Sequence, residues 1–387
     1  MGEGRVDALR DMIAGRAVIF ADNLRNHSAR LPNPPRPFSE PPVSDQIGLF
    51  GSGDETPEAA PTKASRGIGP AAVEADVKAL AAQLPAAIHL GTSSWSFPGW
   101  AGIVYDKPAS ESTLSKTGLA AYSVHPLLRT VSIDRSFYSP LSQAEYLAYA
   151  TQVPEHFRFM VKAPAFITDE WRRDDNGKGI ETNPRFLDAG AAVAEFVKPA
   201  ISGLGEKAGP LVFQVSPLSR RTLGDVPALV KRLHSFLIEV MQRCESFSYA
   251  PLLAVEVRNG ELLTREFADA LGDAGARYCL GVHARMPKPE AQLPILRALW
   301  PGPLVARWNL HAGFKYDEAK AKYAPFNRLV DEDPQSRAVL AKVAAATALA
   351  GQPVYVSVNN KAEGSAPLSI WRLAQEIARI LNRKSGR

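Results

Sequence analysis

Residues 252–259 read LLAVEVRN, and the alternation of side chains in this stretch is the clearest indication of the fold. Alternate residues of a strand face opposite sides, so Leu253, Val255 and Val257 form one aliphatic face that suits packing against helices. The opposite face changes from apolar to charged along the strand, through Leu252, Ala254, Glu256 and Arg258. Such a strand is typical of a closed parallel barrel whose carboxyl-terminal rim carries the functional side chains.

Seven other stretches have the same character, and all eight alternate with longer segments of helical periodicity. The predicted strands cover residues 88–92, 129–134, 158–163, 210–215, 252–258, 277–282, 303–309 and 353–359. The predicted helices cover residues 114–124, 142–152, 184–203, 226–244, 264–275, 290–299, 335–350 and 368–383. Eight strand–helix units in about 300 residues predict an α/β fold of the (β/α)₈ TIM-barrel type. An open doubly wound sheet is the alternative, but no glycine-rich phosphate turn follows the first strand.

The first 86 residues differ from the barrel in composition. Residues 1–30 have apolar side chains at roughly helical spacing, which predicts a short N-terminal helix. Residues 31–86 are rich in proline, glycine, serine and threonine, and such a segment buries too little apolar surface to offset the entropy lost on ordering. We therefore predict a disordered linker over 31–86, with one helix near 71–84 at its end, and a barrel domain over 87–387.

The overall composition is that of a soluble globular protein. The chain has 387 residues and a net charge of +5, which permits an anionic partner without requiring one. Its two cysteines, Cys244 and Cys279, are far apart, so neither a disulfide framework nor a zinc knuckle is expected. The N-terminus has no apolar signal region, and no apolar run is long enough to span a bilayer. We expect no membrane association and a cytoplasmic location.

Polar side chains collect where the inward faces of the predicted strands end. This inward set at the barrel mouth comprises Ser93, Asp134, Lys162, Gln214, Glu256, Arg258, His283, Arg307, Asn309 and Asn359. Its three cations exceed its two carboxylates, which favours an anionic ligand such as a phosphate or a carboxylate. We predict Glu256, Asp134 and His283 as catalytic groups and the remaining side chains as substrate-binding groups. The alternative is an internal salt-bridge network, for example of Glu256 with Arg258 or Arg307.

Two loops at the same end of the barrel add to the predicted site. In GTSSWSFPGW (91–100), Trp95 and Trp100 are predicted to stack on a base or a sugar, and the alternative is a hydrophobic plug over the barrel. In SVNNKAEGSAP (357–367), Asn359, Asn360 and Lys361 are predicted to bind phosphate, and the alternative is a well-capped turn. Histidines and carboxylates at the strand ends are too few for a metal cluster, so no metal or other cofactor is predicted.

Six segments of the chain resemble the YecE-like family, known as domain of unknown function 72. They are GTSSWSFPGW, VSIDRSFYSPLS, FRFMVKAP, GPLVFQVSP, LAVEVRN and VYVSVNNKAEGSAP, in this order from about residue 88 to the C-terminus. The resemblance implies a TIM-type barrel, in agreement with the strand pattern, and it implies no particular reaction. The chain departs from the usual family pattern at Ser94, at residues 132–134 and after Arg258.

The predicted linker contains Gln46-Ile47-Gly48-Leu49-Phe50, which looks like the pentapeptide that binds the bacterial DNA sliding clamp. In that mode of binding, the Leu-Phe pair fills a hydrophobic groove and the glutamine side chain hydrogen-bonds at its rim. Gln46, Ile47, Leu49 and Phe50 are therefore predicted to contact a partner protein. The alternative is that this apolar segment docks on its own barrel.

Three functional hypotheses follow from these features. The first is an enzyme of DNA metabolism, a hydrolase or lyase of DNA repair, that acts on DNA or a phosphate-bearing fragment and is recruited by the sliding clamp. The second is a metabolic enzyme that acts on a small anionic substrate such as a sugar phosphate. The third is a barrel that binds a ligand without catalysis.

Overall fold

The computed structural model describes residues 67–174, 177–311 and 313–385. The predicted helix within residues 1–30, most of the predicted linker and the docking segment 46–50 lie outside the described residues. Residues 67–86 are described and ordered: helix α1 (Ala75–Ala82) packs against the last helix of the chain and buries Leu80 and Ala81. Helix α1 therefore lies within the stretch near 71–84 for which the sequence predicts one helix.

Eight parallel strands close into a barrel, which confirms the predicted fold class. The ten strands of the structure are β1 (Ile88–Thr92), β2 (Thr130–Ile133), β3 (Arg158–Lys162), β4 (Trp171–Arg173), β5 (Gly179–Thr182), β6 (Ala208–Gln214), β7 (Leu252–Glu256), β8 (Arg277–Val282), β9 (Leu304–Trp308) and β10 (Val354–Val358). Strands β4 and β5 form a separate antiparallel hairpin, which the sequence does not predict. The hairpin lies between β3 and β6 in the chain, and these two strands are neighbours in the barrel. Pairing of β1 with β10 closes the barrel.

Helices follow the barrel strands and form the outer layer. They are α2 (Glu111–Ser123), α3 (Gln143–Ala150), α4 (Ala165–Thr168), α5 (Ala189–Ala192), α6 (Lys198–Leu204), α7 (Arg220–Leu223), α8 (Val226–Cys244), α9 (Arg265–Asp273), α10 (Pro289–Ala298), α11 (Tyr316–Tyr323), α12 (Pro334–Leu349) and α13 (Ala366–Ser385). A π-helical segment, Val193–Val197, joins α5 to α6. In the described ranges, no helix combines the length and the apolar character needed to cross a membrane.

Local sequence signals fix where several of these helices begin. Ser142 and Glu145 form a reciprocal capping box at the start of α3. Asp225 and Asp333 each accept a hydrogen bond from the first turn of α8 and α12, and a proline occupies the first turn of both helices. These signals explain why the predicted helix boundaries agree closely with the observed ones.

Side chains inside the barrel lie in layers. The lower layer is an apolar cluster of Met160, Val212, Ala254, Cys279, Val305 and Tyr355. Two residues further along the same strands, alternation places the next inward layer, which comprises Lys162, Gln214, Glu256, Gly281, Arg307 and Ser357. The change from apolar to polar between the two layers confirms the pattern read from residues 252–258 and puts the polar groups at the carboxyl-terminal rim. Both Cys279 and Cys244 are buried and free.

Candidate functional site

Glu256 is the centre of a buried ion-pair network at the barrel mouth. Its side chain has no exposed surface, and Oε1 accepts hydrogen bonds from Arg258 Nη1 and from Asn309 Nδ2, the latter at 2.9 Å. Oε2 accepts a hydrogen bond from Arg307 Nη1 at 3.4 Å. Burial raises the pKa of Glu256, but the charges of Arg258 and Arg307 outweigh burial, so the pKa falls below its ordinary value. Glu256 therefore makes the ion pairs with Arg258 and Arg307 that the salt-bridge alternative names.

A second partner holds each of the two arginines. Arg258 Nη2 donates to Gln214 Oε1 at 2.8 Å, and Gln214 lies opposite Glu256 in the register of β6 and β7. Arg307 Nη2 donates to Asp134 Oδ2 at 2.7 Å. Side chains of the barrel thus engage both guanidinium groups, as the alternative of an internal salt-bridge network describes.

Gly281 has no side chain, and the ion-pair network occupies the space beside it. A Cβ atom on Gly281 would lie 3.3 Å from Glu256 Oε1 and 3.5 Å from Arg258 Nη1. These distances are at or below ordinary van der Waals contact, so a side chain on β8 at this level would press on the ion pair. Glycine at position 281 of β8 therefore gives Glu256 and Arg258 the room to form their ion pair.

Asp134 is the partly exposed carboxylate of the mouth. It follows β2 directly, and 33% of its side-chain surface is exposed. Its Oδ1 accepts a hydrogen bond from Ser132 Oγ at 2.5 Å, while Oδ2 accepts the bond from Arg307. A carboxylate oxygen accepts more than one hydrogen bond, so both oxygens keep capacity for a ligand. Asp134 is thus a predicted catalytic residue whose carboxylate stays partly exposed in the mouth.

Lys162 ends β3 and points into the mouth. Its Nζ lies 3.4 Å from the centre of the Phe137 ring, and no oxygen atom of the described residues accepts a hydrogen bond from it. Ser136 Oγ donates to the Lys162 carbonyl oxygen at 2.6 Å, which fixes the end of the strand against the following turn. Burial lowers the pKa of Lys162 to about 8, with Asp134 opposing the shift and Arg307 adding to it.

Lys361 is a second lysine at the same end of the barrel. Its Nζ donates to Asn359 Oδ1 at 3.3 Å and lies 4.0 Å from the centre of the Tyr316 ring. Burial lowers the pKa of Lys361 to about 8; Lys320 adds to this shift, and Asp317 opposes it. Among the described residues, no carboxylate is within ion-pair distance of Nζ. Lys361 therefore lies at the mouth without an ion-paired carboxylate among the described residues.

The charges of the mouth do not balance. Four basic side chains meet two carboxylates there, namely Lys162, Arg258, Arg307 and Lys361 with Asp134 and Glu256. The carboxylates form ion pairs with the two arginines, whereas in the described part of the chain no carboxylate lies within ion-pair distance of either lysine amine. Because an uncompensated buried charge is unfavourable, the lysine pKa values are lowered. An anionic group beside these lysines would supply the missing negative charge.

Ser93 and Asn359 support the second lysine rather than form a separate subsite. Asn359 Nδ2 donates to Ser93 Oγ at 2.8 Å, which links the ends of β10 and β1. Asn359 Oδ1 accepts hydrogen bonds from both the backbone N–H and the Nζ of Lys361. Both predicted residues thus lie at the mouth and orient Lys361.

The two predicted stacking residues are buried. Trp95 Nε1 donates to the Leu114 carbonyl oxygen at 3.1 Å, and Trp100 has no exposed surface. Trp100 Nε1 donates to Asn360 Oδ1 at 3.3 Å, and the same oxygen accepts the Ala366 N–H at 2.8 Å at the start of α13. Both indoles are thus buried, as the alternative of a hydrophobic plug describes. Asn360 is likewise buried and accepts the hydrogen bond at the start of α13, as the alternative of a well-capped turn describes.

His283 lies beyond the end of β8 and lines a cavity of about 340 Å³ that also includes His311, Met286 and Ser336. Its Nδ1 accepts a hydrogen bond from the Arg285 N–H at 3.1 Å. Burial, with a smaller contribution from the Arg258 charge, lowers the pKa of His283 to about 4, so the ring is neutral at pH 7. Across residues 67–174, 177–311 and 313–385, no group of three or more histidine, cysteine and acidic side chains is placed to hold a metal ion.

Two exposed tyrosines at the mouth were not predicted. Tyr138 is 86% exposed and Tyr316 is 57% exposed. Partial burial raises the pKa of Tyr138, and neighbouring Tyr316 and Asp134 raise it further, so the three groups lie close together. The sequence does carry a signal for Tyr138, which follows the end of β2 by a few residues. It carries none for Tyr316, because helix α11 was not predicted.

Comparison with known proteins identifies relatives by family model and by structure. The family described as "Protein of unknown function DUF72" matches residues 89–385. A DUF72 family protein from Enterococcus faecalis V583 is 17% identical with a TM-score of 0.48, over 76% of this chain and 95% of that chain. A DUF72 family protein from Thermotoga maritima MSB8 is 18% identical with a TM-score of 0.47, over 76% of this chain and 99% of that chain. No curated protein matches the chain.

Proposed function

The chain belongs to the DUF72 family, and we propose that its barrel mouth binds and transforms a small anionic organic substrate. The observation that carries this proposal is that Lys162 and Lys361 have no carboxylate within ion-pair distance in the described part of the chain. Both lie at the carboxyl-terminal rim, where barrel enzymes carry their active sites. A carboxylate or phosphate group on the substrate would compensate the two ammonium groups.

Other groups of the mouth have distinct roles in this proposal. Asp134, which is partly exposed, would exchange a proton with the substrate. Tyr138 and Tyr316 would contact the organic part of the substrate with their exposed rings. Glu256 and Arg307 would hold the geometry of the mouth rather than touch the substrate.

The same features favour a small molecule over a nucleic-acid strand. Lys361 is almost fully buried and Lys162 is only partly exposed, whereas contacts to the phosphates of a duplex come from side chains on the protein surface. Trp95 and Trp100 are buried, so the stacking groups of the DNA hypothesis are not available. A substrate of the size of a sugar phosphate matches these constraints better than a DNA duplex.

Titration calorimetry with inorganic phosphate tests the anion site. We expect saturable binding that Lys361→Met weakens by about tenfold or more, since the variant removes one of the two uncompensated charges. Lys231→Met, on the exposed side of α8, is the matched control and should leave the affinity unchanged. Equal affinity of wild type and Lys361→Met would contradict the proposal.

Residues 46–50 support a second proposal, that the protein is recruited by the bacterial sliding clamp. Their sequence, Gln46-Ile47-Gly48-Leu49-Phe50, is an apolar segment within a proline-rich stretch. Such a segment is suited to bind in a hydrophobic groove of a partner protein. In this case the substrate of the mouth would be a phosphate-bearing fragment of DNA, and the protein would act in DNA repair.

Retention of the full chain on immobilised sliding clamp tests recruitment. The variant Leu49→Ala/Phe50→Ala should lose retention, because the Leu-Phe pair fills the groove. Pro41→Ala/Pro42→Ala in the same stretch is the matched control and should be retained like wild type. Equal retention of the Leu49→Ala/Phe50→Ala variant would exclude recruitment through this motif.

A further inference from the structure

The two lysines of the mouth differ in what their amines contact. Lys361 Nζ donates to Asn359 Oδ1, whereas Lys162 Nζ lies against the Phe137 ring and has no oxygen acceptor among the described residues. The backbone of Lys162 is fixed, because it ends β3 and its carbonyl oxygen accepts a hydrogen bond from Ser136. An amine without a hydrogen-bond acceptor on a fixed strand end is available to react with a ligand.

We propose that Lys162 is a carbonyl-reactive amine that forms a Schiff base with an anionic aldehyde or ketone, while Lys361 holds the anionic group. This inference rests on the proposed function, because it assigns a substrate class to the same mouth. The two lysines have different roles because their amines have different surroundings. The lysine that already has an oxygen partner binds charge, and the lysine without one reacts.

The electrostatic surroundings keep part of the Lys162 amine unprotonated. Burial has the largest effect on its pKa and, with the charges of Arg307 and Arg258, lowers it to about 8 against the opposing charges of Asp134 and Glu256. With a pKa near 8, about a tenth of the amine is unprotonated at pH 7, against less than about 0.1% of an ordinary lysine. A desolvated lysine beside other cations is the usual form of an amine nucleophile in enzymes.

Asp134 is the carboxylate with the largest effect on the Lys162 pKa, and it would carry the proton during the reaction. Because Lys162 Nζ and Asp134 are not within ion-pair distance, the ammonium group gives one proton to Asp134 through a solvent water molecule, and the lone pair on Nζ attacks the carbonyl carbon. The π electrons of the C=O bond move to its oxygen, which takes a second proton from the same nitrogen. Asp134 then returns its proton to this hydroxyl group, which leaves as water while the nitrogen lone pair forms the C=N bond.

This step is balanced without any oxidant, reductant or further reactant. Two of the three ammonium protons leave in the water molecule, and the third remains on the positively charged imine nitrogen. The protonated imine withdraws electrons from the adjacent carbon and so eases the cleavage of a bond to that carbon. The implied reaction class is therefore that of a lyase acting on an anionic carbonyl compound.

Borohydride trapping on the full chain tests this assignment, with pyruvate as a carboxylate probe and glycolaldehyde phosphate as a phosphate probe. Borohydride delivers hydride to the imine carbon and leaves a stable secondary amine that peptide mapping locates. We expect one adduct, on Lys162, with at least one probe, and the reactive probe identifies the anionic group that the site prefers. Lactate has the charge of pyruvate but no carbonyl group, so it should leave no adduct.

Two variants and one binding measurement make the outcome decisive. Lys162→Arg keeps the charge and Lys162→Met removes it, and each should reduce the adduct by about tenfold or more while the circular dichroism spectrum is unchanged. An adduct on Lys361, an undiminished adduct in both variants, or no adduct with either probe overturns the inference. If the adduct is absent while phosphate still binds, the proposed anion site stands; if phosphate binding is absent as well, both proposals fail.

Discussion

Arg307 on β9 reaches Asp134 beyond the end of β2, with 2.7 Å between Nη2 and Oδ2. Strands β10 and β1 separate β9 from β2 in the barrel, so this ion pair ties two sides of the rim together. Burial lowers the pKa of Arg307, but the charges of Asp134 and Glu256 outweigh burial and raise the pKa above its ordinary range. Arg307 therefore stays charged, and the positions of the two carboxylates are set before any ligand binds.

Removing the charge of Glu256 should destabilise the barrel strongly. In Glu256→Gln, Arg258 loses its fully buried counter-ion and Arg307 keeps only Asp134, and breaking a buried ion pair on one side lowers the free energy of unfolding by about 3–5 kcal/mol. Urea unfolding followed by circular dichroism measures this. Glu266→Gln, at an exposed position of α9, is the control and should change the value by less than about 0.5 kcal/mol. A loss below about 1 kcal/mol in Glu256→Gln would show that the network is not a structural unit.

Anion binding at the mouth should weaken as the pH rises through about 8. Lys162 and Lys361 have pKa values of about 8 in the free protein, and a bound anion favours their charged forms and raises these values. The affinity is therefore fully present below pH 8 and is lost above it. Calorimetry with sulfate at constant ionic strength measures the dependence, because sulfate itself does not titrate in this range. Lys361→Met should flatten the profile, and a constant wild-type affinity from about pH 7 to 9.5 would contradict the assignment.

The protein should lose stability as the pH falls from 6.5 to 4. Burial lowers the pKa of His89, His125 and His283 from 6.5 to about 4, so the unfolded chain binds more protons than the folded chain in this window. Stability is then complete above pH 6.5 and decreases towards pH 4. His89→Phe preserves the stacking on Tyr355 and should reduce the dependence by at most about 3 kcal/mol, as measured by urea unfolding at both ends of the window. An unchanged slope in His89→Phe would show that His89 does not contribute.

Gly91 is required by the pairing of β1 with β2. A Cβ atom on Gly91 would lie 1.8 Å from the Thr130 carbonyl oxygen, and backbone on both sides leaves no room to relax. Gly91→Ala should therefore lower the free energy of unfolding by about 3 kcal/mol or more. Gly272→Ala in α9 is the matched control, because its Cβ would meet only a Leu299 methyl group at 3.4 Å, and it should stabilise the protein by about 0.5–1 kcal/mol. Equal effects of the two substitutions in a thermal melt would contradict the steric argument.

The strands and most helices of the barrel could be predicted because their signals are local. Alternation with a period of two is contained in each strand, and capping residues such as Ser142 and Asp333 act on the adjacent turn. The hairpin of β4 and β5 and helix α11 lack a comparable signal: both are short, and their side chains are largely exposed. Hydrophobic periodicity gives no information on elements of this kind.

The candidate site was predicted as a set of positions but not as a set of contacts. Strand parity alone places Glu256, Arg307 and Lys162 at the mouth. It does not show that Glu256 is saturated by two arginines, or that Lys162 Nζ faces an aromatic ring instead of an oxygen. For the same reason Trp95 was predicted as a stacking group and is found buried, since burial of a loop side chain depends on the helix that covers it.

The (β/α)₈ barrel and the inward set at its carboxyl-terminal rim follow from the amino-acid sequence, because the alternation of side chains along a strand is a property of neighbouring residues. Which charges of that set form ion pairs depends on the three-dimensional structure. Asp134 and Arg307 are 173 residues apart in the chain, and Arg307 shares Glu256 with Arg258. Closure of the barrel brings these groups together and leaves Lys162 and Lys361 as the mouth lysines that have no ion-paired carboxylate among the described residues. This distribution of charge cannot be read from the order of the residues, because Coulomb interactions depend on distances through space.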